Sequence, residues 1–410
     1  MPIRQGQDSV RVAIVGAGHA GLCVAGALQR RGIVPLVFDS SNRIGDTWRA
    51  RYNGLVLNTH RDASKIPGVK MSPEVAVWPT RDSWANYIEH AAEALKVELQ
   101  TVKVETVRHH TDDGWLLSYA PAISARAVSA HERQRAQMEI CNRWDVVVIA
   151  TGRNRMPIVP DWPGMPDSSI EVLHSSLFRD PISFLGRRVL VIGGGNSGTE
   201  IAHLLSRSGV DTTISIRKKP VFARREFFGM NLTAAAAVAK HFPDRIVDIG
   251  GRLNQLLIFG RLAHYGIGPP DHRLSDVASA SGATIDSGFV EDVKAGRIAV
   301  IDALKRFEGR EIVTFSGRRQ RVDVVIAATG YTPALENLLP DDLLVDGWPR
   351  QKRPPFLQAA GLYTAGLNPA SLTSFHPDFV AEAELIAADI VLTAGNKSSK
   401  NCGTDHVFDG

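Results

Sequence analysis

Short runs of apolar, largely β-branched residues recur along the chain and alternate with stretches of helical periodicity. Residues 10–15 read VRVAIV and are followed by GAGHAG, and apolar residues then recur at helical spacing over 22–29. A continuous apolar run of this length is typical of a strand that is buried on both faces, so the pattern predicts a strand, a glycine turn and a helix. A second predicted strand, 35–38, ends at Asp39.

The same pattern begins again in the middle of the chain. Residues 187–192 read RRVLVI, GGGNSG follows, and a helix is predicted through Leu205, with the next strand over 212–216. Two more apolar runs, 144–150 and 322–328, each lead into a Thr-Gly pair. Strands that alternate with helices in this way predict an α/β fold with mainly parallel sheets and two Rossmann-like dinucleotide-binding domains.

Two other segments have weaker patterns. Residues 82–97 predict a helix that Asp82 or Ser83 caps at its N-terminus. Residues 222–265 are expected to be mostly helical, and we expect 231–262 to pack against the nucleotide-binding domain. The alternatives are that this stretch covers the substrate cavity or lies toward a membrane.

The first glycine turn has the spacing of a dinucleotide-binding loop. Gly16 permits the tight turn, Gly18 lets a pyrophosphate approach the backbone, and Gly21 lets the helix pack closely on the sheet. Asp39 ends the next strand, where a carboxylate can accept hydrogen bonds from a ribose hydroxyl. This loop is therefore interpreted as the FAD site.

The second glycine turn repeats this arrangement with Gly193, Gly195 and Gly198. The strand that follows ends in Arg217, Lys218 and Lys219 instead of an acid. A carboxylate would repel a 2′-phosphate, whereas an arginine can pair with it bidentately, so the triplet favours NADPH over NADH. The alternative is that the basic triplet is only a solvated turn. Two dinucleotides in one chain suggest hydride delivery from NADPH to a flavin.

The domain bounds follow from these motifs. Residues 1–165 are predicted to form the first part of the FAD-binding domain and 166–329 an inserted NADPH-binding domain. Residues 330–395 are predicted to return to the FAD-binding domain, and 396–410 to form a disordered tail.

Composition narrows the function classes. The 410 residues include 47 basic and 43 acidic ones, a net charge of only +4 that does not argue for a nucleic-acid partner. Cys23, Cys141 and Cys402 form no CxxC pair, zinc-ligand spacing or disulfide framework, so no metal is expected. The chain shows neither a signal peptide nor an apolar run of about 20 residues, so the cytoplasm is the expected compartment.

Several motifs resemble those of the class B flavin monooxygenases, the family of the flavin-containing monooxygenases, the plant YUCCA enzymes and the Baeyer–Villiger enzymes. Besides the two glycine loops, the similar segments are GDTWR at 45–49, YNGLVLNT at 52–59, HSSLFR at 174–179 and AATGY at 327–331. The stretches LAHYGIGPP and GFVEDVKAGRIAVI are most similar to YUCCA enzymes.

The sequence departs from the family pattern at four places. Asp46 replaces a glycine in GDTWR. Ser168 and Ile170 stand where the family fingerprint has Phe and Gly, and Phe178 stands where Baeyer–Villiger enzymes usually have Trp. The last departure favours the flavin-containing monooxygenase and YUCCA branches.

The resemblance implies a reaction. NADPH would reduce FAD, and oxygen would add to give a C4a-hydroperoxyflavin that oxygenates a small organic substrate. The oxygenation would be at nitrogen or sulfur, or a YUCCA-like oxidative decarboxylation of a 2-oxo acid such as indole-3-pyruvate. Asn58 matches the family's active-site asparagine, and its amide would be a hydrogen-bond donor in a water-poor pocket.

The predicted contacts fall into two sets. The FAD contacts are Gly16, Gly18, His19, Ala20, Gly21, Asp39, Ser40, Thr47, Trp48, Asn58, Val104, Thr151, Gly152, Gly330 and Gly366. The NADP contacts are Gly193, Gly195, Asn196, Ser197, Gly198, Arg217, Lys218, Arg179, Thr329 and Gly330.

Other functions stay open at this point. One is Baeyer–Villiger oxygenation of a ketone. Another is an NADPH-dependent flavin reductase of the quinone type, without oxygenation. A disulfide reductase would need two redox cysteines near the flavin, and the three cysteines offer no such pair. The expected partners are a small-molecule substrate and O2, and a homo-oligomer is possible.

Overall fold

The computed structural model describes residues 10–110, 114–121, 140–227, 229–231, 234–235, 238, 241–271, 273, 283–353, 355–357, 359–368 and 376–401. The helices are α1 (His19–Gln29), α2 (Asp46–Arg49), α3 (Arg81–Ala94), α4 (Asn196–Arg207), α5 (Asp244–Phe259), α6 (Phe289–Lys294) and α7 (His376–Asn401). The strands are β1 (Val12–Val15), β2 (Leu36–Asp39), β3 (Glu98–His110), β4 (Gly114–Pro121), β5 (Ile140–Trp144), β6 (Val146–Ile149), β7 (Met156–Pro157), β8 (Glu171–His174), β9 (Arg188–Ile192), β10 (Asp211–Ser215), β11 (Phe222–Ala223), β12 (Glu226–Phe227), β13 (Met230–Asn231), β14 (Thr284–Ile285), β15 (Ile298–Ile301), β16 (Leu304–Glu308), β17 (Glu311–Thr314), β18 (Arg319–Arg321), β19 (Val324–Ala327), β20 (Tyr331–Thr332), β21 (Leu344–Val345), β22 (Trp348–Pro349), β23 (Gln351–Arg353), β24 (Phe356–Leu357) and β25 (Leu362–Thr364).

The larger sheet has nine strands in the order β23-β24-β25-β6-β1-β2-β3-β4-β5. Its centre, from β25 to β3, is parallel, with Ile14 of β1 opposite Val37 on one side and Val148 on the other. All four residues of β1 are buried, and so are all four of β6. Strands covered on both faces carry continuous apolar runs, which explains the two most apolar segments of this part of the chain.

A second sheet has five strands, all parallel, in the order β15-β10-β9-β19-β8. In its centre, Val191 of β9 lies opposite Ile326 of β19 and Ile214 of β10. The strands of this sheet come from between β7 and β20, while β23 to β25 return to the first sheet. The predicted fold class is therefore confirmed: two dinucleotide-binding folds, the second inserted in the first.

The region from 222 to 265 differs from the expectation. Residues 222–231 contribute the short strands β11 to β13, and helix α5 begins only at Asp244. Phe259 is its only buried residue, and Leu257 is 83% exposed. The expected packing of this helix against the nucleotide-binding domain is thus wrong for most of its length, because the apolar periodicity does not show which face a neighbour covers.

Two helix ends also differ from those predicted by the sequence. Helix α3 is capped by Thr80, whose Oγ1 accepts a hydrogen bond from the backbone N–H of Ser83 at 3.3 Å, and not by Asp82 or Ser83. Helix α7 continues through residues 396–401, where the sequence predicts a disordered tail, and residues 402–410 lie outside the described part. The polar stretch 121–140, whose composition indicates a solvated excursion, also lies mostly outside it.

Within the described ranges, no helix is both long enough and apolar enough to cross a membrane. The cytoplasmic location stays a prediction.

Candidate functional site: two glycine loops and their junction

The first glycine loop connects β1 to α1 with almost no spare space. Gly16 has φ +113°, and a Cβ there would lie 2.4 Å from the carbonyl oxygen of Ala150. A Cβ on Gly21 would lie 2.0 Å from the oxygen of Gly16, whereas one on Gly18 would meet nothing within 4 Å. The first and third glycines are therefore required for packing, and the second leaves open the face at the N-terminus of α1.

Asp39, at the carboxyl end of β2, is held by this loop. Its Oδ2 accepts a hydrogen bond from the backbone N–H of Ala17 and its Oδ1 one from that of Ser41, both at 2.7 Å. Each carboxylate oxygen keeps a further lone pair, so Asp39 can still accept a ribose hydroxyl. Ser40 is exposed next to it.

The second loop repeats the first in detail. Gly193 has φ +127°, and its Cβ would lie 2.3 Å from the oxygen of Ala328; that of Gly198 would lie 1.9 Å from the oxygen of Gly193. Gly195, like Gly18, meets nothing within 4 Å. Neither Gly18 nor Gly195 supplies a side-chain cap, so the first N–H groups of α1 and α4 are available to an anion.

The basic triplet follows β10 in sequence. Arg217 and Lys218 are exposed. The backbone N–H of Lys219 donates a hydrogen bond of 2.7 Å to Oδ2 of Asp271. Sequence reasoning missed this acid, which lies 52 positions further along the chain. Asp271 caps the backbone of the turn, and the exposed guanidinium of Arg217 remains open to a 2′-phosphate.

Three other predicted NADP contacts have partners inside the protein. Oδ1 of Asn196 accepts a hydrogen bond from the backbone N–H of Ile285 at 2.7 Å. The guanidinium of Arg179 donates to the carbonyl oxygens of Ser176 and Phe178 at 2.6 and 3.0 Å. Thr329 donates through its hydroxyl to the carbonyl oxygen of Ile158. These contacts fix the segments around the loop, and the role of the three residues toward NADP stays a prediction. Ser197, in the first turn of α4, is partly buried.

The two Thr-Gly pairs lie at equivalent strand ends. Gly152 and Gly330 have φ +80° and +94°, and a Cβ on either would meet nothing within 4 Å. The hydroxyl oxygen of Thr151 is buried and has no hydrogen-bond partner among the described residues. A buried hydroxyl without a partner is costly, so a ligand that hydrogen-bonds Thr151 would relieve that cost. This observation fits a dinucleotide next to the first loop.

The remaining predicted FAD contacts divide into buried and open positions. His19 is buried, with its ring edge-on to Trp84 and Phe379 at centroid distances of 5.2 and 5.5 Å. Ala20 and Val104 are also buried. Trp48 is partly buried against Trp84, and Thr47 is exposed. The buried residues support the walls of the site through packing. A sequence motif does not distinguish this supporting role from direct contact with the ligand.

Helix α7 adds a carboxylate that sequence reasoning missed. The backbone N–H of Gly366 donates a hydrogen bond of 2.7 Å to Oε2 of Glu382. Glu382 is 8% exposed, and its burial raises the pKa of the carboxyl from 4.5 to about 7. A single glutamate in a helical stretch has no sequence pattern that indicates its burial or a raised pKa.

His174, the histidine of HSSLFR, is tied to the second strand end. Its Nε2 lies 3.0 Å from the carbonyl oxygen of Gly330, its Nδ1 accepts the backbone N–H of Ser176 at 3.1 Å, and its ring is edge-on to Tyr331. Burial lowers the pKa of His174, which favours the neutral ring. His174 thus joins the HSSLFR segment to the AATGY segment. Ile170, which stands where the family fingerprint has Gly, is buried in the core.

Asn58 lies where the two folds meet. Its Oδ1 accepts a hydrogen bond of 3.2 Å from Nε of Arg225, which comes from the inserted part of the chain. Nearby, the hydroxyl of Tyr52 donates to Oε2 of Glu200, on α4, at 2.7 Å. Sequence reasoning found Asn58 but missed the roles of Arg225, Glu200 and Tyr52.

Comparison with known proteins agrees with this geometry. Indole-3-pyruvate monooxygenase YUCCA1 of Oryza sativa subsp. japonica is 29% identical over 373 residues, which cover 89% of this chain and 88% of that protein. Among solved structures, the flavin-containing monooxygenase from Stenotrophomonas maltophilia superposes with a TM-score of 0.70 at 20% identity, over 94% of this chain and 99% of that one. Bacillithiol disulfide reductase Bdr from Bacillus cereus superposes with a TM-score of 0.65 at 18% identity, over 94% and 99%. At these identities the two structures show the shared fold.

The model of one family, described as flavin-binding monooxygenase-like, matches residues 9–345, which is more than half of the chain and includes both glycine loops. The match confirms the expected enzyme class, a flavin-dependent monooxygenase, and the expected cofactors, FAD and NADPH. The chain therefore belongs to the flavin-binding monooxygenase-like family.

Proposed function

We propose that this chain is an NADPH- and FAD-dependent monooxygenase that oxygenates a small organic substrate at a site beside Asn58. The substrate is an amine or a sulfide, or a 2-oxo acid such as indole-3-pyruvate that loses CO2 on oxygenation. The similarity to enzymes named as indole-3-pyruvate monooxygenases supports the 2-oxo acid.

One observation carries the proposal: the side chain of Asn58, from the FAD-binding part, is hydrogen-bonded to Arg225 of the inserted part. A hydride transfer needs only two cofactors that meet, whereas oxygenation also needs a fixed hydrogen-bond donor away from bulk water. An asparagine held at the junction of the two folds meets this need.

The other residues have distinct roles in the proposal. Bound FAD, once reduced by NADPH, supplies the electrons for the activation of O2. The N-terminus of α1 and Asp39 bind the FAD phosphates and ribose, and Thr151 donates its hydroxyl to the same cofactor. The N-terminus of α4 and Arg217 bind NADPH, and Arg217 selects its 2′-phosphate.

We also infer that the domains have the bounds expected from sequence, 1–165 and 330–395 for FAD and 166–329 for NADPH. The five strands of the second sheet lie between β7 and β20 in the chain, whereas every strand of the nine-stranded sheet lies before or after them. This separation supports the division.

The test is product analysis under ¹⁸O2. The purified protein, loaded with FAD, is supplied with NADPH and a panel of indole-3-pyruvate, a tertiary amine, a sulfide, a cyclic ketone and a quinone. We expect one labelled oxygen atom in the product of the amine, sulfide or 2-oxo acid. Labelled ester from the ketone would instead indicate Baeyer–Villiger chemistry. Quinone reduction without label in any product would indicate a reductase and contradict the proposal.

A disulfide reductase is a poorer fit. Cys23 is buried in α1, and this burial raises the pKa of its thiol to about 12. The thiol is therefore protonated at neutral pH and is a weak nucleophile.

A further inference from the structure

The contact between Arg225 and Asn58 settles the orientation of the asparagine amide. A guanidinium has five N–H donors and no acceptor, so the amide atom that faces it must be the oxygen. The distance of 3.2 Å from Nε of Arg225 to Oδ1 of Asn58 is that of a direct hydrogen bond. With its oxygen directed to Arg225, Asn58 presents its NH2 group on the other branch of the amide. An asparagine that rotated freely would offer either end.

Arg225 is itself fixed by other contacts. Its Nη2 donates to the carbonyl oxygen of Val56 at 3.4 Å, and its guanidinium carbon lies 6.0 Å from the ring centre of Trp78. It stands between β11 and β12, in the inserted part of the chain. Val56, Asn58 and Trp78 all belong to the FAD-binding part. The guanidinium therefore reaches across the junction and has three different contacts on the far side.

Glu200 completes the arrangement from α4. Its carboxylate accepts hydrogen bonds from the hydroxyl of Tyr52 and from the backbone of Val56, and its charge favours the protonated form of Arg225. Burial raises the pKa of Glu200 and lowers that of Arg225, which is the pattern of two opposite charges that are both removed from water. The attraction between the two charges therefore favours positions of Arg225 close to Glu200.

We propose that Arg225 is the positioning residue for Asn58: it holds the amide oxygen toward the inserted domain, so that the NH2 group is the end presented to the reacting molecules. Glu200, which accepts a hydrogen bond from Tyr52, in turn stabilises the charge of Arg225. The inference rests on the proposed function, because it assumes that the Asn58 amide acts as a donor during oxygenation. It adds a second residue, supplied by the other domain, that decides which end of that amide is used.

The alternative is that Arg225 only joins the two domains. The two explanations differ in how the effects of substitutions combine. Residues that act through one another give non-additive effects, whereas independent residues give additive ones. A double-mutant cycle on Arg225 and Asn58 separates them.

The cycle uses Asn58→Ala, Arg225→Met and the double variant, each loaded with FAD. The first readout is the share of consumed NADPH that ends as hydrogen peroxide instead of product. The second is the visible absorption spectrum of the bound oxidised FAD, recorded without NADPH or substrate. We expect Arg225→Met to raise the peroxide share several-fold and to shift the spectrum as Asn58→Ala does, with no further change in the double variant. Arg225→Lys should recover part of the effect, since lysine can still donate to the oxygen.

Asn53→Ala is the matched control. Asn53 also joins the two parts of the chain, through a hydrogen bond of 2.9 Å from its Nδ2 to Oδ2 of Asp180. No hydrogen bond among the described residues joins it to Asn58. We expect this variant to lower the melting temperature slightly and to leave the peroxide share and the FAD spectrum unchanged. A rise in peroxide equal to that of Arg225→Met would mean that any loosened junction has this effect, and would overturn the inference.

Two further outcomes also overturn it. If Arg225→Met changes the readouts equally with and without Asn58, or raises only the KM of the substrate in both backgrounds, Arg225 acts by itself, and the proposed monooxygenase function is untouched. If Asn58→Ala changes nothing while labelled product still forms, Asn58 is not the donor, so the inference and the assigned role of Asn58 fail. Absence of labelled product from the unsubstituted protein would instead show the failure of the proposed function itself.

Discussion

The hydroxyl of Tyr52 donates a hydrogen bond of 2.7 Å to Oε2 of Glu200, although the two residues are 148 positions apart. Tyr52 precedes the loop of Asn58, and Glu200 lies on α4, the helix whose N-terminus follows the second glycine loop. Both side chains are largely removed from water, and burial raises the pKa of each. The bond therefore connects the helix assigned to NADPH with the segment that carries the candidate catalytic asparagine.

Replacing Tyr52 by Phe should destabilise the protein more at high pH than at low pH. The hydrogen bond from Tyr52 lowers the pKa of Glu200, so its loss raises that pKa further and leaves a buried carboxylate with one donor fewer. We expect a loss that is larger at pH 8 than at pH 5 and that reaches about 1–3 kcal/mol once the carboxylate is charged. Melting temperatures at both pH values measure this. In a Glu200→Gln background the pH dependence of the Tyr52→Phe effect should disappear; if it persists, another group is responsible.

Replacing Gly198 by Ala should strongly impair the use of NADPH while FAD stays bound. The new Cβ would lie 1.9 Å from the carbonyl oxygen of Gly193, so the loop or α4 must shift. A displacement of about 1 Å at a binding loop can reduce activity roughly 100-fold. Stopped-flow reduction of the flavin by NADPH measures the loss, and the flavin content of the purified protein is the internal reference. Gly250→Ala, in α5, is the matched control, because a Cβ there meets nothing within 4 Å. Normal reduction by Gly198→Ala would contradict the assignment of the second loop.

Replacing Arg217 by Ala should reduce the preference for NADPH. A charge-assisted hydrogen bond to the 2′-phosphate contributes about 1.5–3 kcal/mol, so the KM for NADPH should rise about 10- to 100-fold. The KM for NADH and the kcat should change little, since NADH has no phosphate at that position. Arg245→Ala, which removes an exposed arginine from α5, serves as the control. Equal changes in both KM values would show that Arg217 does not recognise the phosphate.

Replacing Glu382 by Gln should stabilise the protein above neutral pH. The pKa of Glu382 is raised from 4.5 to about 7, so between these values the folded protein binds more protons than the unfolded chain, and stability falls as the pH rises through that window. The variant removes this decrease. Its unfolding free energy relative to that of the unsubstituted protein should therefore rise by about 1–3 kcal/mol between pH 4.5 and pH 8. Melting curves of both proteins over this range are the measurement. Parallel curves would mean that Glu382 keeps an ordinary pKa.

The sequence by itself determined the two nucleotide-binding units. Four apolar runs, two glycine loops and Asp39 are local signals, because the period of a strand, the turn of a glycine and the N-terminus of a helix depend on neighbouring residues. The structure places Gly16 and Gly193, and Gly21 and Gly198, in matching close contacts. Asn58 could be found only through a resemblance, because an asparagine in a loop has no local signature of its role.

Only the tertiary structure decided what surrounds these signals. Arg225 and Glu200 reach the loop of Asn58 from the inserted part of the chain, and Glu382 reaches Gly366 from α7. Burial depends on which element covers which face, so the changed pKa values of Glu200 and Glu382 could not be predicted from the sequence. The exposed face of α5 and the inward ring of His19 have the same cause: periodicity specifies a face, and the fold decides what packs against it.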